Sequence, residues 1–182
     1  AFSSDEKTLY AAGGNDNIIL CYAIDNNKIG KADTIRLGKP WPNKICPTGI
    51  AVNKKNTILY TVTKEDSTLY IVNLATRKTA DKIKLAAEAY SCILSPDEKT
   101  LYISIWGGAK VAVYNTVTKN ISEIGCGSHP NEMVLNKKGT RLFVANANDN
   151  SVSIIDTKRN KITETISAAL YPTQLTGSTS NG

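Results

Sequence analysis

The feature that most limits what this chain can fold into is that it copies itself. The stretch SSDEKTLYAAGGNDN (Ser3 to Asn17) returns as SPDEKTLYISIWGGA (Ser95 to Ala109). It returns more loosely as NKKNTILYTVTKEDS from Asn53 and NKKGTRLFVANANDN from Asn136. The aromatics that mark each copy, Tyr10, Tyr60, Tyr102 and Phe143, recur at spacings of 50, 42 and 41 residues. Periods of this length belong to propeller blades or to helical arrays, and the residues within the period decide between them.

Each copy reads as four short β-rich runs. The marker aromatic closes the first, and a polar turn follows (GGNDN, KEDS, WGGA or NANDN). Then come IILCYAID, TLYIVNLA, KVAVYNTV and SVSIIDTK, and after a basic or polar turn a third run such as KTADKIKL or KITETI. A fourth run, TGIAVN, SCILS or NEMVLN, leads into the next copy. Four strands per period, with Asn, Asp, Gly and Lys in the turns and no helical spacing, describe a propeller blade. The expected fold is therefore all-β: a β-propeller of four-stranded antiparallel blades. Four repeats lie at roughly 1–49, 50–91, 92–132 and 133–182 of a single propeller region. A content of 41% apolar residues, drawn largely from Ile, Val, Leu, Ala and Tyr among many Thr, Ser and Asn, suits strands and gives enough material for a core.

The segment LFVANANDNSVSIIDTKRNKITETI resembles the YVTN-type β-propeller repeat, and SPDEKTLY matches the hairpin that opens such a blade. The likeness extends over essentially the whole chain. GKPWPNKICPTG and ALYPTQLTGSTSNG are similar to one subgroup, in which the propeller precedes an alkaline-phosphatase-like phosphoesterase domain. The resemblance implies a bacterial exported protein, periplasmic or at the cell surface, and a ring whose usual count is seven blades. Ala1-Phe2 aligns with Ala51-Val52 and Val134-Leu135, and Gly182 aligns with Gly49 and Glu132, so the repeats are cut in nearly one register at both ends. Either four blades close on themselves or they are part of a larger ring. The second is expected, with association through open blade edges as its consequence.

Charge and cysteines narrow the function classes. The formal charge is +6, but the lysines sit in turns such as NKKN and NKKG and form no run of five or six, so no nucleic-acid partner is expected. No run of about 18 apolar residues suggests a membrane span. Cys21, Cys46, Cys92 and Cys126 are scattered without a C-x-x-C pair, and the chain has one histidine, which argues against a zinc site. No cofactor is expected. The oxidising compartment implied by the resemblance permits disulfides, but no pairing is expected from the sequence.

Propeller function usually resides in the loops between blades and the turns on the same face. On that face the candidate ligand-binding residues are Trp41, Asn43, Tyr90, Trp106, His129, Asn131, Glu132 and Asn146. Two of them have ordinary accounts as well: His129 as a loop histidine making routine hydrogen bonds, Trp106 as an amphipathic ring over a blade edge. GGNDN and NANDN lack the order of a calcium loop and read as Asx side chains bonding back within a hairpin turn. SPDEKT reads as turn chemistry. The leading expectation is a non-catalytic module that binds a small molecule or protein, or positions a neighbouring catalytic domain. The alternative is a propeller-type lactonase with a metal in the central channel. It needs oxygens from several blades, and the matching positions Gly49, Ser91, Glu132 and Gly182 supply one acid. Phosphoesterase activity, if the chain is an accessory part of such an enzyme, would lie in another domain.

Overall fold

The computed structural model describes residues 1–26 and 28–176. Gly182, aligned above with Gly49, lies outside them. Among the described residues fifteen strands account for the architecture. The first sheet holds β1 (Thr8–Ala12), β2 (Ile18–Asp25) and β3 (Lys28–Arg36) in that order. The second holds β4 (Pro47–Val52), β5 (Ile58–Thr63), β6 (Thr68–Asn73) and β7 (Lys78–Lys84). The third runs β8 (Ala89–Leu94), β9 (Thr100–Ile105), β10 (Lys110–Asn115) and β11 (Ile121–Gly125). The fourth runs β12 (Pro130–Leu135), β13 (Arg141–Asn146), β14 (Ser151–Asp156) and β15 (Lys161–Ser167). Every sheet is an antiparallel meander. The three-stranded first sheet has one remnant of a fourth strand: Phe2 bridges to Leu9, and Ala1 and Tyr10 exchange backbone bonds of 2.8 and 2.9 Å.

Two compact units share these sheets, residues 1–92 and 93–182. In the first unit the core forms where Tyr10, Ile19, Cys21 and Ile35 of one sheet meet Leu59, Tyr70 and Val72 of the next. In the second, Tyr102, Val111, Val113 and Ile124 meet Met133, Leu142, Val144 and Ile155. Burial of such side chains contributes about 1.5–3 kcal/mol each. The middle strands β5, β6, β9, β10 and β14 are buried along nearly their whole length, so they read as almost continuous apolar runs. The outermost strands have little to cover, and β15 is exposed throughout.

Turn chemistry repeats with the sheets. In the first and third sheets the Ser3 and Ser95 hydroxyls donate to Asp5 and Asp97 at 2.6 Å and accept from the N–H groups of Thr8 and Thr100. The hydroxyl, and after it the Lys99 N–H, holds the Asp97 carboxyl below its usual range. In the other two sheets Asn53 and Asn136 do this work, their Oδ1 atoms accepting two backbone N–H groups each. These residues are structural, as their repetition suggested.

One residue at each turn reverses the chain by entering the left-handed region. In the turns after β1, β5, β9 and β13 it is Asn17, Ser67, Ala109 and Asn150, with φ of 57°, 45°, 49° and 48°. Short 3-10 turns at Gly14–Asp16, Trp106–Gly108 and Ala147–Asp149 precede three of them. The left-handed carbonyl then accepts the N–H just beyond each outermost strand, from Leu37, Leu85, Cys126 and Ala168.

Candidate functional site

Within each unit, the loop entering a sheet is tied to the first turn of that sheet. Lys64 and Glu65 donate to the carbonyls of Cys46 and Ile45 at 3.0 and 3.2 Å. Ala147 and Asn148 donate in the same pattern to His129 and Ser128 at 3.1 and 3.3 Å. Loop and turn therefore share one face, as the repeat pattern required. Cys46 and His129 hold equivalent places, each left-handed (φ 54° and 53°) and each followed by proline.

The Asx residues of the turns behave differently from the expectation that they bond back within their own hairpins. Asn17 is fully buried and reaches out. Its Nδ2 donates to the Lys39 carbonyl at 2.8 Å and to the Asn43 carbonyl, and its Oδ1 accepts from Ile45 and Cys46 at 3.1 Å each. Asn150 repeats part of this by accepting from Tyr171 at 3.0 Å. The side chain pins the following loop because its left-handed backbone aims it there. At the third turn the same position is Ala109, which offers no pin.

The loop beyond Ala109, Cys126–His129, is held from the fourth sheet instead. Asp149 Oδ2 accepts the Ser128 backbone N–H at 2.6 Å. The Ser128 hydroxyl lies 2.8 Å from His129 Nδ1, and the imidazole meets the Trp106 indole edge to face, with centroids 4.3 Å apart and planes at 82°. Asn146 is fully buried beneath the loop, so close that a Cβ on Gly127 would fall 2.5 Å from its Cγ. Its Nδ2 donates to the Ser151 and Ser153 hydroxyls at 3.0 and 2.8 Å. Burial, and secondarily the Asp149 carboxylate, pushes the Cys126 thiol up to about 12.

Strand β12 begins with a bulge, in which Asn131 and Glu132 fall between the pairs Pro130–Asn146 and Met133–Val144. β4 has the same irregularity between Pro47 and Ile50. At the first bulged position Thr48 donates to the carbonyls of Val62 and Ala89 at 3.2 and 3.1 Å. Asn131 occupies that position in β12, is 6% exposed, and leaves its Oδ1 without a partner. The Oδ1 of Asn146 is likewise buried and unpaired. Two unpaired buried acceptors on paired strands are uncommon, since each carries a desolvation cost of about 1–3 kcal/mol.

Of the eight residues singled out in the sequence, five thus belong to one neighbourhood: Trp106 and His129 in ring contact, Asn146 under their loop, and Asn131 and Glu132 in the adjoining bulge. Trp41 and Asn43 belong to the other unit. Trp41 is 66% exposed with the Lys44 ammonium 5.4 Å from its ring, and Asn43 serves through its carbonyl on Asn17. Tyr90, exposed on β8, aligns in the repeat with Thr48 and Asn131. Sequence reading missed Ser128 and the contrast between Asn17 and Ala109, although an asparagine in two of four equivalent turn positions was a legible signal.

The cluster is not a hydrolytic triad. The carboxylate of Asp149 is bound to a backbone N–H, and the serine and histidine are chain neighbours, so no acid orients the imidazole. Among the described residues no group of three or more His, Cys, Asp or Glu side chains is gathered to hold a metal, and all four cysteines are free. Among the described residues no helix is long and apolar enough to cross a membrane.

No family model matches the chain, and no curated protein matches it. Solved structures do. Hydrazine synthase from Kuenenia stuttgartiensis, a propeller-containing protein, superposes with a TM-score of 0.79 at 19% identity over 90% of this chain and 47% of its own. A functionally unknown protein from Desulfotomaculum acetoxidans gives 0.79 at 15% identity, over 94% of this chain and 56% of that one. This chain spans about half the length of either. At such identities the likeness concerns the fold alone, and with the sheet topology it makes the four sheets β-propeller blades. A fold of this kind is consistent with a binding or scaffolding module.

Proposed function

We propose that the chain is a non-catalytic propeller module that binds a small molecule or a protein segment through the face built by Trp106, Ser128, His129, Asn131 and Asn146. The single observation that carries this reading is the unsatisfied bulge. Where Thr48 closes its hydrogen bonds internally, Asn131 leaves an acceptor for something else, with a second unpaired amide oxygen on the neighbouring strand β13 and an aromatic–imidazole pair in the preceding loop. Catalysis finds no support in the same geometry, which lacks an oriented base.

The repeat sequences support assignment to the YVTN type, and the loops GKPWPNKICPTG and ALYPTQLTGSTSNG support a place beside a catalytic domain in an exported bacterial protein. A screen of chemically diverse fragments, read by amide chemical shifts, tests the binding reading. Perturbations gathered at residues 106–109, 126–132 and 146–149 are expected. Binding that maps only to Trp41, or to the opposite turns at 95–100 and 136–140, would refute it.

A further inference from the structure

Building on the binding site proposed above, the geometry points to a neutral, hydroxyl-rich saccharide ring as the ligand class for the cluster of Trp106, His129, Asn131 and Asn146. Four features combine. The Trp106 indole is half-buried and set at a right angle to the imidazole, which gives a flat, partly exposed aromatic surface next to polar groups. The C–H face of a pyranose packs on such a surface while its hydroxyls reach sideways.

Among the described residues no donor holds the Asn131 amide oxygen, and rotation about a terminal amide torsion is soft, so its oxygen and its N–H₂ can both turn toward an incoming group. An amide places an acceptor and a donor side by side, which is what vicinal hydroxyls, each donor and acceptor at once, can satisfy together. His129 adds a third polar position. Its Nδ1 is engaged by the Ser128 hydroxyl, and no hydrogen bond reaches its Nε2 among the described residues.

Charge argues against the competing classes. An anion would be repelled by the carboxylates of Asp149, on the Ser128 loop, and Glu132, next to Asn131 in the bulge. An ammonium would use the acceptors but leave the amide N–H and any imidazole N–H unmatched, and the chain as a whole carries +6. Asp149 is moreover already committed to the Ser128 N–H at 2.6 Å. Buried neutral amide oxygens are the unsatisfied groups, and neutral hydroxyls can donate to them without burying a charge.

The test uses intrinsic fluorescence of the 182-residue chain carrying Trp41→Phe, which leaves Trp106 as the one indole reporter. Maltose, cellobiose and chitobiose are the saccharide probes, with tetramethylammonium and inorganic phosphate as charged controls. At least one sugar should give a saturable change with a Kd of about 1 mM or tighter. Asn131→Thr copies the Thr48 solution, so the bulge stays folded, and it should weaken that binding about tenfold. Read by isothermal titration calorimetry, because these variants lack the indole reporter, Trp106→Ala should do the same, and Trp106→Tyr should keep binding within about threefold. Should tetramethylammonium bind while no sugar does, the saccharide class is overturned and the binding site stands. Should no probe of any class change the signal and the fragment screen also be silent, both fail. Sugar binding indifferent to Asn131→Thr and to Trp106→Ala would overturn the placement.

Discussion

Asn17 tests the logic of this fold most directly, because one side chain carries the order of a whole loop. It is fully buried in a left-handed turn, and its amide donates to Lys39 and Asn43 and accepts from Ile45 and Cys46. Removing the side chain frees four backbone groups with unequal consequences. The Lys39 and Asn43 residues are exposed and their carbonyls can turn to water, whereas Ile45 is buried and Cys46 half-buried. Two orphaned N–H groups at about 1–1.5 kcal/mol each give a loss of about 2–3 kcal/mol for Asn17→Gly, which keeps the left-handed backbone free of strain. Asn17→Ala adds about 1 kcal/mol for holding a Cβ at positive φ. With a urea slope of roughly 2 kcal/mol/M, the glycine variant should melt about 1–1.5 M earlier. The Ile45 and Cys46 amides should also exchange about 30–150-fold faster, since the opening they report becomes easier by the same free energy. Were the Asn17→Gly midpoint to stay within about 0.3 M of the parent, with Ile45 protection unchanged, the side-chain pin would be ornamental.

Other perturbations follow from the same contacts. Ala109 sits at φ 49° without a side-chain bond, so Ala109→Gly should raise stability by up to about 1 kcal/mol in thermal or urea unfolding; a loss would show that the turn is not strained. Gly127→Ala forces a Cβ to 2.5 Å from Asn146 Cγ and should cost about 1–3 kcal/mol while shifting the Asn146 side-chain amide resonances; an unperturbed spectrum would refute the close approach. Burial raises the Cys126 thiol to about 12 from the ordinary 9.0, so at pH 8 iodoacetamide should label it far more slowly than the same thiol in urea-unfolded chain, as read by mass spectrometry. The folded chain retains that proton where the unfolded chain loses it. Stability should therefore fall as pH climbs from about 9 toward 12, and Cys126→Ala should flatten this slope. The Tyr70 hydroxyl donates to Asp66 at 2.6 Å, and burial followed by this bond raises the phenol above its usual range. Tyr70→Phe should cost about 1–2 kcal/mol near neutrality, measured by urea unfolding, and should also flatten the alkaline decline.

The amino-acid sequence by itself determined the period, the antiparallel blade pattern and most strand limits, though the first sheet has three strands where four were expected. IILCYAID is β2 residue for residue, and TGIAVN and NEMVLN overlap β4 and β12, each but for one residue at either end. These were legible because a strand's alternation and a turn's Asn, Gly or Ser act over two to five residues, within reach of a local pattern. The turn at SPDEKT was legible for the same reason. Tertiary structure alone decided where the long-range bonds go. Nothing local distinguishes Asn17, whose partners lie 22 to 29 residues onward, from an asparagine that closes its own hairpin. Nothing local says that the Thr48 hydroxyl will find carbonyls while Asn131, at the equivalent position of another bulge, finds no donor for its Oδ1, or that Trp106 and His129 will meet nearly at a right angle. A hydrogen bond exists only where packing carries donor and acceptor to about 3 Å of each other, and that distance is set by how neighbouring sheets stack, not by the residues on either side of the side chain.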